Sequence, residues 1–293
     1  MTEFGLNRFD PLTLKIDNVA VFIAKRGSGK STVCEDLLYN IRYQIPLIII
    51  ISPTEKTDPF FSRFVPEAFI YDDLDLDALK EILRRNKEVK KNPPPGLENP
   101  AVLIIMDDCM YKKTLFNAEI IRYLIQNGRH DDIGLWIITQ YAADLPRYIR
   151  TNVDIVFAFK DNARVNRENL YKMFFGVVDT FKEFDHLCQF YTADRGILVL
   201  DNRDTSSDLK KKLFWYKAKW NAVPPPEKKN WRFGPLANDM YAFNDKHYLE
   251  STSESVDWSS YKMSSIRTSA GHAKKSEGQV VLRRLGTHGE ILE

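Results

Sequence analysis

With 293 residues, 44% of them hydrophobic and 28% charged, the chain is long enough to bury one large α/β core, alone or with an accessory region, and has the make-up of a globular protein. A formal net charge of +2 does not announce a polyanionic partner, so contact with nucleic acid has to come from local basic patches. The cysteines Cys34, Cys109 and Cys188 are odd in number and lack paired metal spacing, which points to buried thiols in a reducing compartment; the scattered histidines argue against zinc, and the absence of a signal-peptide pattern or of an apolar run near the roughly 20 residues of a bilayer span predicts no membrane insertion.

Along the chain, apolar runs predict strands over residues 19–23, 47–52, 68–71, 102–106, 135–139, 155–159 and 197–200, with helices over 31–43, 76–91, 115–127, 164–175 and 181–188. Such alternation is the pattern of an α/β fold with a mainly parallel central sheet flanked by helices. The first strand-to-helix junction, residues 18–32 (NVAVFIAKRGSGKST), carries the most chemistry. Gly27 and Gly29 let successive backbone N–H groups curl around phosphate oxygens, and the helix that follows points its positive end at the same anion. Ala24, Lys25, Arg26, Gly27, Ser28, Gly29, Lys30, Ser31 and Thr32 are therefore the expected nucleotide-binding residues, with ATP as the nucleotide. Lys30 would reach the β- and γ-phosphates, Ser31 would coordinate Mg²⁺, and Thr32 would line the start of the helix. The strict pattern has glycine at position 24; alanine is small enough there as long as its backbone stays out of the left-handed region.

The segment Asn92-Pro93-Pro94-Pro95-Gly96 cannot continue a helix and reads as a stiff surface connection. The strand that follows ends in Asp107-Asp108. An acid at the carboxyl end of a buried strand beside a phosphate loop is placed to hold Mg²⁺, the role expected of Asp107, while Asp108 becomes the candidate base for the attacking water. The next strand ends in Thr139-Gln140, so an amide sits where it can sense a γ-phosphate. Asn127-Gly128-Arg129-His130 precedes that strand; Gly128 ends the helix, and Arg129 is the first candidate for stabilising transition-state charge in cis or across a subunit boundary, with Arg147 and Arg150 as alternatives and Arg26 as a further phosphate or neighbour contact.

After about residue 204 the texture changes. Lys210-Lys211-Lys212 leads into an aromatic run in which Trp215, Lys217 and Lys219 alternate with Phe214, Tyr216 and Ala218, as a half-exposed last strand would, a nucleic-acid contact being the alternative. From about residue 238 onward Ser, Thr, Gly, Lys and Arg dominate, which predicts a basic, loosely structured C-terminal region. The expected organisation is an ATPase domain over 1–220 and a basic tail or accessory region over 221–293.

Five blocks taken together, namely residues 24–31, the strand ending in Asp107-Asp108, Asn127 to His130, Thr139-Gln140-Tyr141, and Leu145-Pro146 followed by Ile149-Arg150-Thr151-Asn152, resemble the DNA-packaging ATPases of nucleocytoplasmic large DNA viruses. These form the poxvirus-type branch of the FtsK and HerA superfamily of P-loop ATPases. The resemblance spans about residues 19–220 and implies an additional-strand, RecA-like fold and an ATP-driven motor. It also implies a homo-oligomeric ring of five or six subunits that pulls double-stranded DNA, independently of its sequence, past a capsid or portal component. The implied location is the host cell cytoplasm or the virion. Two further readings stay open: a cellular-type DNA pump or helicase of the same superfamily, and a nucleotide-gated capsid assembly factor with little turnover, which Asp108 in place of the commoner Glu keeps in play.

Overall fold

The apolar runs lie side by side. The computed structural model describes residues 2–93, 99–206, 208–219, 231, 233 and 280–284. Its strands are β1 (Thr2–Arg8), β2 (Val19–Ile23), β3 (Leu47–Ile51), β4 (Ile70–Tyr71), β5 (Val102–Asp107), β6 (Ile133–Thr139), β7 (Ile155–Ala158), β8 (Ile197–Asp201), β9 (Leu213–Tyr216) and β10 (Val280–Arg284). They form one sheet in the order β10-β1-β9-β8-β7-β2-β6-β5-β3-β4. Neighbours are parallel except for the two pairs made by β8, which runs antiparallel to β7 and β9. The expected mainly parallel α/β sheet is present, and β6 is inserted between β2 and β5.

Every residue of β2, β5, β6, β7 and β8 is buried. Side chains alternate between the two faces of a strand, so uninterrupted burial means that both faces are covered, and this is why these strands read as continuous apolar runs. Aromatic rings cross the middle of the sheet: Phe22 stacks on Phe157 at 4.5 Å and lies 5.2 Å from Trp136, while Phe9 meets Phe157 edge-on at 5.7 Å.

The helices are α1 (Lys30–Ile41), α2 (Leu76–Lys91), α3 (Glu119–Asn127), α4 (Arg147–Arg150), α5 (Arg164–Met173), α6 (Phe181–Tyr191) and α7 (Leu209–Lys212). Helix α2 matches its expected span because its ends are written locally. Asp75 accepts from the N–H groups of Asp77 and Ala78, and Lys90 and Lys91 sit in the last turn. Its buried residues Leu79, Ile82, Leu83 and Asn86 fall on one face, and the Asn86 amide donates to the carbonyl of Asp131. Thr180 caps α6 in the same way, accepting from Glu183 N–H.

Three expectations change. The helix expected over 115–127 splits into a 3₁₀ turn (Leu115–Asn117) and α3, because Ala118 is extended (ψ 146°). The carbonyl of Phe116 in that turn accepts from the Tyr148 hydroxyl of α4. The last aromatic strand is not half-exposed: Trp215 and Tyr216 are 6% and 1% exposed, since β9 lies inside the sheet between β8 and β1. The third change is at that end of the sheet, where it is extended by β1, which carries no apolar run, and by β10, whose run is only Val280-Val281-Leu282. The expected boundary near residue 220, most of the expected basic tail and residues 94–96 of the proline-rich connection lie outside the described residues. Among the described residues no helix is long and apolar enough to cross a membrane.

Candidate functional site

Strand register brings the sequence motifs to one edge. Ile23 lies opposite Thr139, and Asp107 opposite Ile138, so the phosphate loop, Gln140 and the Asp107-Asp108 pair all emerge at the carboxyl ends of β2, β6 and β5. In a parallel sheet this edge is where ligands bind. Ala24 N–H continues the ladder one step by donating to Thr139 O at 2.9 Å. Its backbone keeps to ordinary negative φ; the left-handed positions are Gly27 (φ +75°) and Gly29 (φ +90°), where a Cβ is penalised. Alanine at position 24 therefore meets no left-handed strain. Ser28 closes the turn: its N–H and its Oγ both donate to Lys25 O, at 3.1 and 2.6 Å. Gly29 is the N-cap of α1, Ser31 and Thr32 occupy its first turn half-buried, and Arg26 is exposed.

Lys30 Nζ lies 2.8 Å from Asp107 Oδ1. Asp107 is buried, and desolvation pushes its carboxyl above the usual carboxylate range, with the Lys30 charge pulling the other way and the charges of Asp108 and Glu55 adding to the rise. The next residue turns the chain sharply, because Asp108 is left-handed (φ 54°, ψ 30°). Its N–H still donates to Ile138 O at 3.0 Å, while its carboxylate meets the Gln140 amide, whose Nε2 lies 3.4 Å from each oxygen. A non-glycine residue in this region is uncommon and costs of order 1 kcal/mol, a strain typical of functional turns. Its effect here is to send two adjacent carboxylates to different partners, one to Lys30 and one to the Gln140 amide.

The site has the make-up to hold Mg²⁺. The Ser31 hydroxyl and the Asp107 carboxylate are hard oxygen donors, and no group of three or more His, Cys, Asp or Glu forms a metal cage among the described residues. Few protein ligands suit an ion that keeps its waters and takes phosphate oxygens.

Arg129 is not brought to the phosphate loop of its own chain. It lies in the 3₁₀ turn Gly128–Asp131 that leads into β6, with Nη2 3.5 Å from Asp154 Oδ1; Asp154 Oδ2 in turn accepts from Val19 N–H at the start of β2. This is the amino end of the sheet, opposite the site, and it removes a role in cis. Gly128 does follow α3, but with right-handed angles; a Cβ there would sit 2.9 Å from Ile133 O, so glycine supplies room, and the left-handed residue of the turn is Asp132 (φ 55°). Arg147 is exposed on α4, and Arg150 has a buried Nε without a hydrogen-bond partner. The three cysteines are buried, and Cys109 Sγ contacts Ile51 O at 3.4 Å and Asp107 O at 3.5 Å.

Two acids at the site escaped the sequence reading. Glu55, buried after β3, accepts from the N–H groups of Phe60 and Ser62 at 2.9 and 2.8 Å, and its charge reaches Asp107. Asp161, after β7, pairs with Lys25 of the phosphate loop at 2.9 Å. Lys25 and Asp161 line a cleft of about 150 Å³ that also includes Ile23, Gln140, Tyr141 and Phe159. Both acids sit in irregular loops, and only their position just after an apolar strand distinguishes them in the sequence.

No protein-family model matches the chain. Uncharacterized protein 088R of Invertebrate iridescent virus 3 is 36% identical over 196 residues, covering 67% of this chain and 74% of that protein. Uncharacterized protein L437 of Acanthamoeba polyphaga mimivirus is 33% identical over 223 residues, with 74% and 78% covered. This chain belongs to their family of large DNA virus proteins. The fold of this chain is also found in a solved structure, the genome packaging NTPase B204 from Sulfolobus turreted icosahedral virus 2 in complex with sulfate, at a TM-score of 0.50 and 16% identity over 71% of this chain and 100% of that one. At that identity the likeness is one of fold, a P-loop ATPase architecture.

Proposed function

We propose that this member of the family is an ATP-hydrolysing motor that moves double-stranded viral DNA into a preformed capsid, as a packaging ATPase of the poxvirus-type branch. The observation that carries the reading is the pairing of Lys30 with Asp107 at 2.8 Å, beside Asp108 and Gln140, on a sheet in which β6 separates the phosphate-loop strand from the acidic strand. In that arrangement the backbone around Gly27 and Gly29 wraps the phosphates, and Lys30 exchanges the Asp107 carboxylate for the β- and γ-phosphate oxygens. Ser31 and Asp107 would hold Mg²⁺, which would supply neutralisation of phosphate charge when bound. Asp108 orients the attacking water and accepts its proton as the oxygen adds in line to the γ-phosphorus and the bond from that phosphorus to the β,γ-bridging oxygen breaks, its electron pair leaving with ADP and the γ-phosphoryl group leaving as inorganic phosphate. Gln140 joins Asp108 to the end of β6, so loss of the γ-phosphate is felt in the middle of the sheet.

The motor reading extends to a homo-oligomeric ring of five or six subunits at a capsid or portal component, in the host cytoplasm or the virion. In such a ring Arg129 acts on a neighbour's nucleotide, supported by its 44% exposed side chain at the end of the sheet away from its own loop; Arg147 and Arg150 are the alternatives. Contacts to DNA phosphates would be sequence-independent and salt-dependent. The test is steady-state ATP hydrolysis with and without long double-stranded DNA at low and moderate salt. Stimulation that fades with salt is expected. Slow turnover indifferent to DNA would instead favour a nucleotide-gated assembly factor.

A further inference from the structure

We infer that Asp161 is a positioning residue for nucleotide binding, acting through Lys25 to hold the phosphate loop in its binding shape; this rests on the ATPase reading above. The loop leaves the sheet at Ala24, and the next residue does two things at once. The Lys25 carbonyl accepts from Ser28 N–H and Ser28 Oγ, closing the turn that contains Gly27, while its ammonium reaches sideways to Asp161 Oδ1 at 2.9 Å. Asp161 is itself held from several sides. Oδ1 accepts from Ala163 N–H at 2.8 Å, Oδ2 from the Asn166 amide at 2.8 Å, and the Asp161 carbonyl from Arg167 Nη1 at 2.9 Å. Arg167 Nε in turn donates to Asp185 of α6 at 2.5 Å. The carboxylate therefore belongs to a fixed junction of β7, α5 and α6, and Lys25 is the strut from that junction to the loop.

The sheet does not need this strut, since β7 already pairs with β2 through Ala158 and Ile23. The loop does. Between Lys25 and α1 it consists of an exposed Arg26, Gly27, Ser28 and Gly29, a stretch that populates many shapes unless something selects one. Selecting the shape in advance lowers the ordering cost when phosphate binds. A carboxylate beside a triphosphate site also repels it, so the two possible roles have opposite signs. If charge alone mattered, removing Asp161 would tighten nucleotide binding; if position matters, it weakens it.

The experiment is an equilibrium titration of the full-length protein with a fluorescent ATP analogue, alongside kcat, KM and melting curves, for Asp161→Asn, Lys25→Met and the double variant. The expected result is about three- to tenfold weaker binding for each single variant, carried by KM with kcat little changed, and a double variant no weaker than the worse single. Asp161→Glu should recover part of the loss. Unchanged or tighter binding for Asp161→Asn, or losses that add in the double variant, overturns the inference. Should Asp161→Asn fail to fold, the Lys25→Met side decides: with its 36% exposed side chain it leaves the core intact, and binding equal to that of the parent protein overturns the inference. A parent protein that binds no nucleotide overturns the ATPase reading and this inference together.

Discussion

Lys30 and Asp107 stand 77 residues apart in the chain and 2.8 Å apart in the fold, joining the first turn of α1 to the last residue of β5. Lys30→Ala removes the charge that meets the phosphates. Turnover should fall by at least about 100-fold, measured as steady-state hydrolysis, and the nucleotide analogue should bind weakly or not at all. A Lys30→Ala protein with undiminished turnover would rule out the site.

The buried Asp107 carboxyl has its pKa raised, chiefly by desolvation. A carboxyl whose folded pKa lies above its unfolded value binds more protons in the folded state, so it lowers stability progressively as pH rises above the ordinary carboxylate range. Asp107→Asn is therefore expected to abolish turnover yet leave the nucleotide-free protein about 0.5–1 kcal/mol more stable at neutral pH, with the difference vanishing in acid. Denaturant melts of both proteins across pH check this; a destabilised Asp107→Asn protein at pH 7 would show that the Lys30 charge outweighs burial.

Asp108 combines a left-handed backbone with a contact to Gln140. Asp108→Asn should still bind ATP and stall before hydrolysis, read as analogue binding without phosphate release. Asp108→Gly should be equally inactive but about 1 kcal/mol more stable, because glycine relieves the left-handed strain. Stability unchanged in Asp108→Gly would mean that the turn is held at no cost.

Gly134 lies in β6 where the chain before β2 crosses it: a Cβ there would be 1.5 Å from Ile16 O. Backbone cannot give way as a side chain can, so Gly134→Ala should cost about 3 kcal/mol or more and lower the melting temperature sharply. Gly176→Ala, with nothing near its Cβ position, serves as the control and should change little.

Arg167 lowers the pKa of Asp185 through its hydrogen bond, so this pair stabilises the fold above the ordinary carboxylate pKa, and the contribution is lost as pH falls through that range. Asp185 keeps some access to water, which limits the effect of Asp185→Asn to about 1 kcal/mol at pH 7. Urea midpoints of the parent and variant proteins should converge in acid; a constant gap would mean that packing, not charge, is what the substitution removes.

Much of this protein is written in short stretches of sequence. Strands β2, β3 and β5 to β8 announce themselves because burial on both faces demands unbroken apolar runs, and the phosphate loop does so because glycines at positions 27 and 29 followed by Lys30 and Ser31 have few other uses. The Asp107-Asp108 pair and Gln140 are legible for the same reason: each directly follows such a run. What depends on which strands become neighbours is not legible locally. The insertion of β6 between β2 and β5, which joins Gln140 to Asp108, follows from long-range pairing, as does the interior position of β9 that buries Trp215 and Tyr216 together. Asp161 reaches Lys25 only because β7 lies against β2, and Arg129 falls at the opposite end of the sheet from the loop because it precedes a parallel strand instead of following one. Local sequence thus determined which residues can bind phosphate and where strands run, through patterns that act within a few residues. The tertiary structure decided which side chains meet, because in a parallel sheet every partner comes from a distant part of the chain.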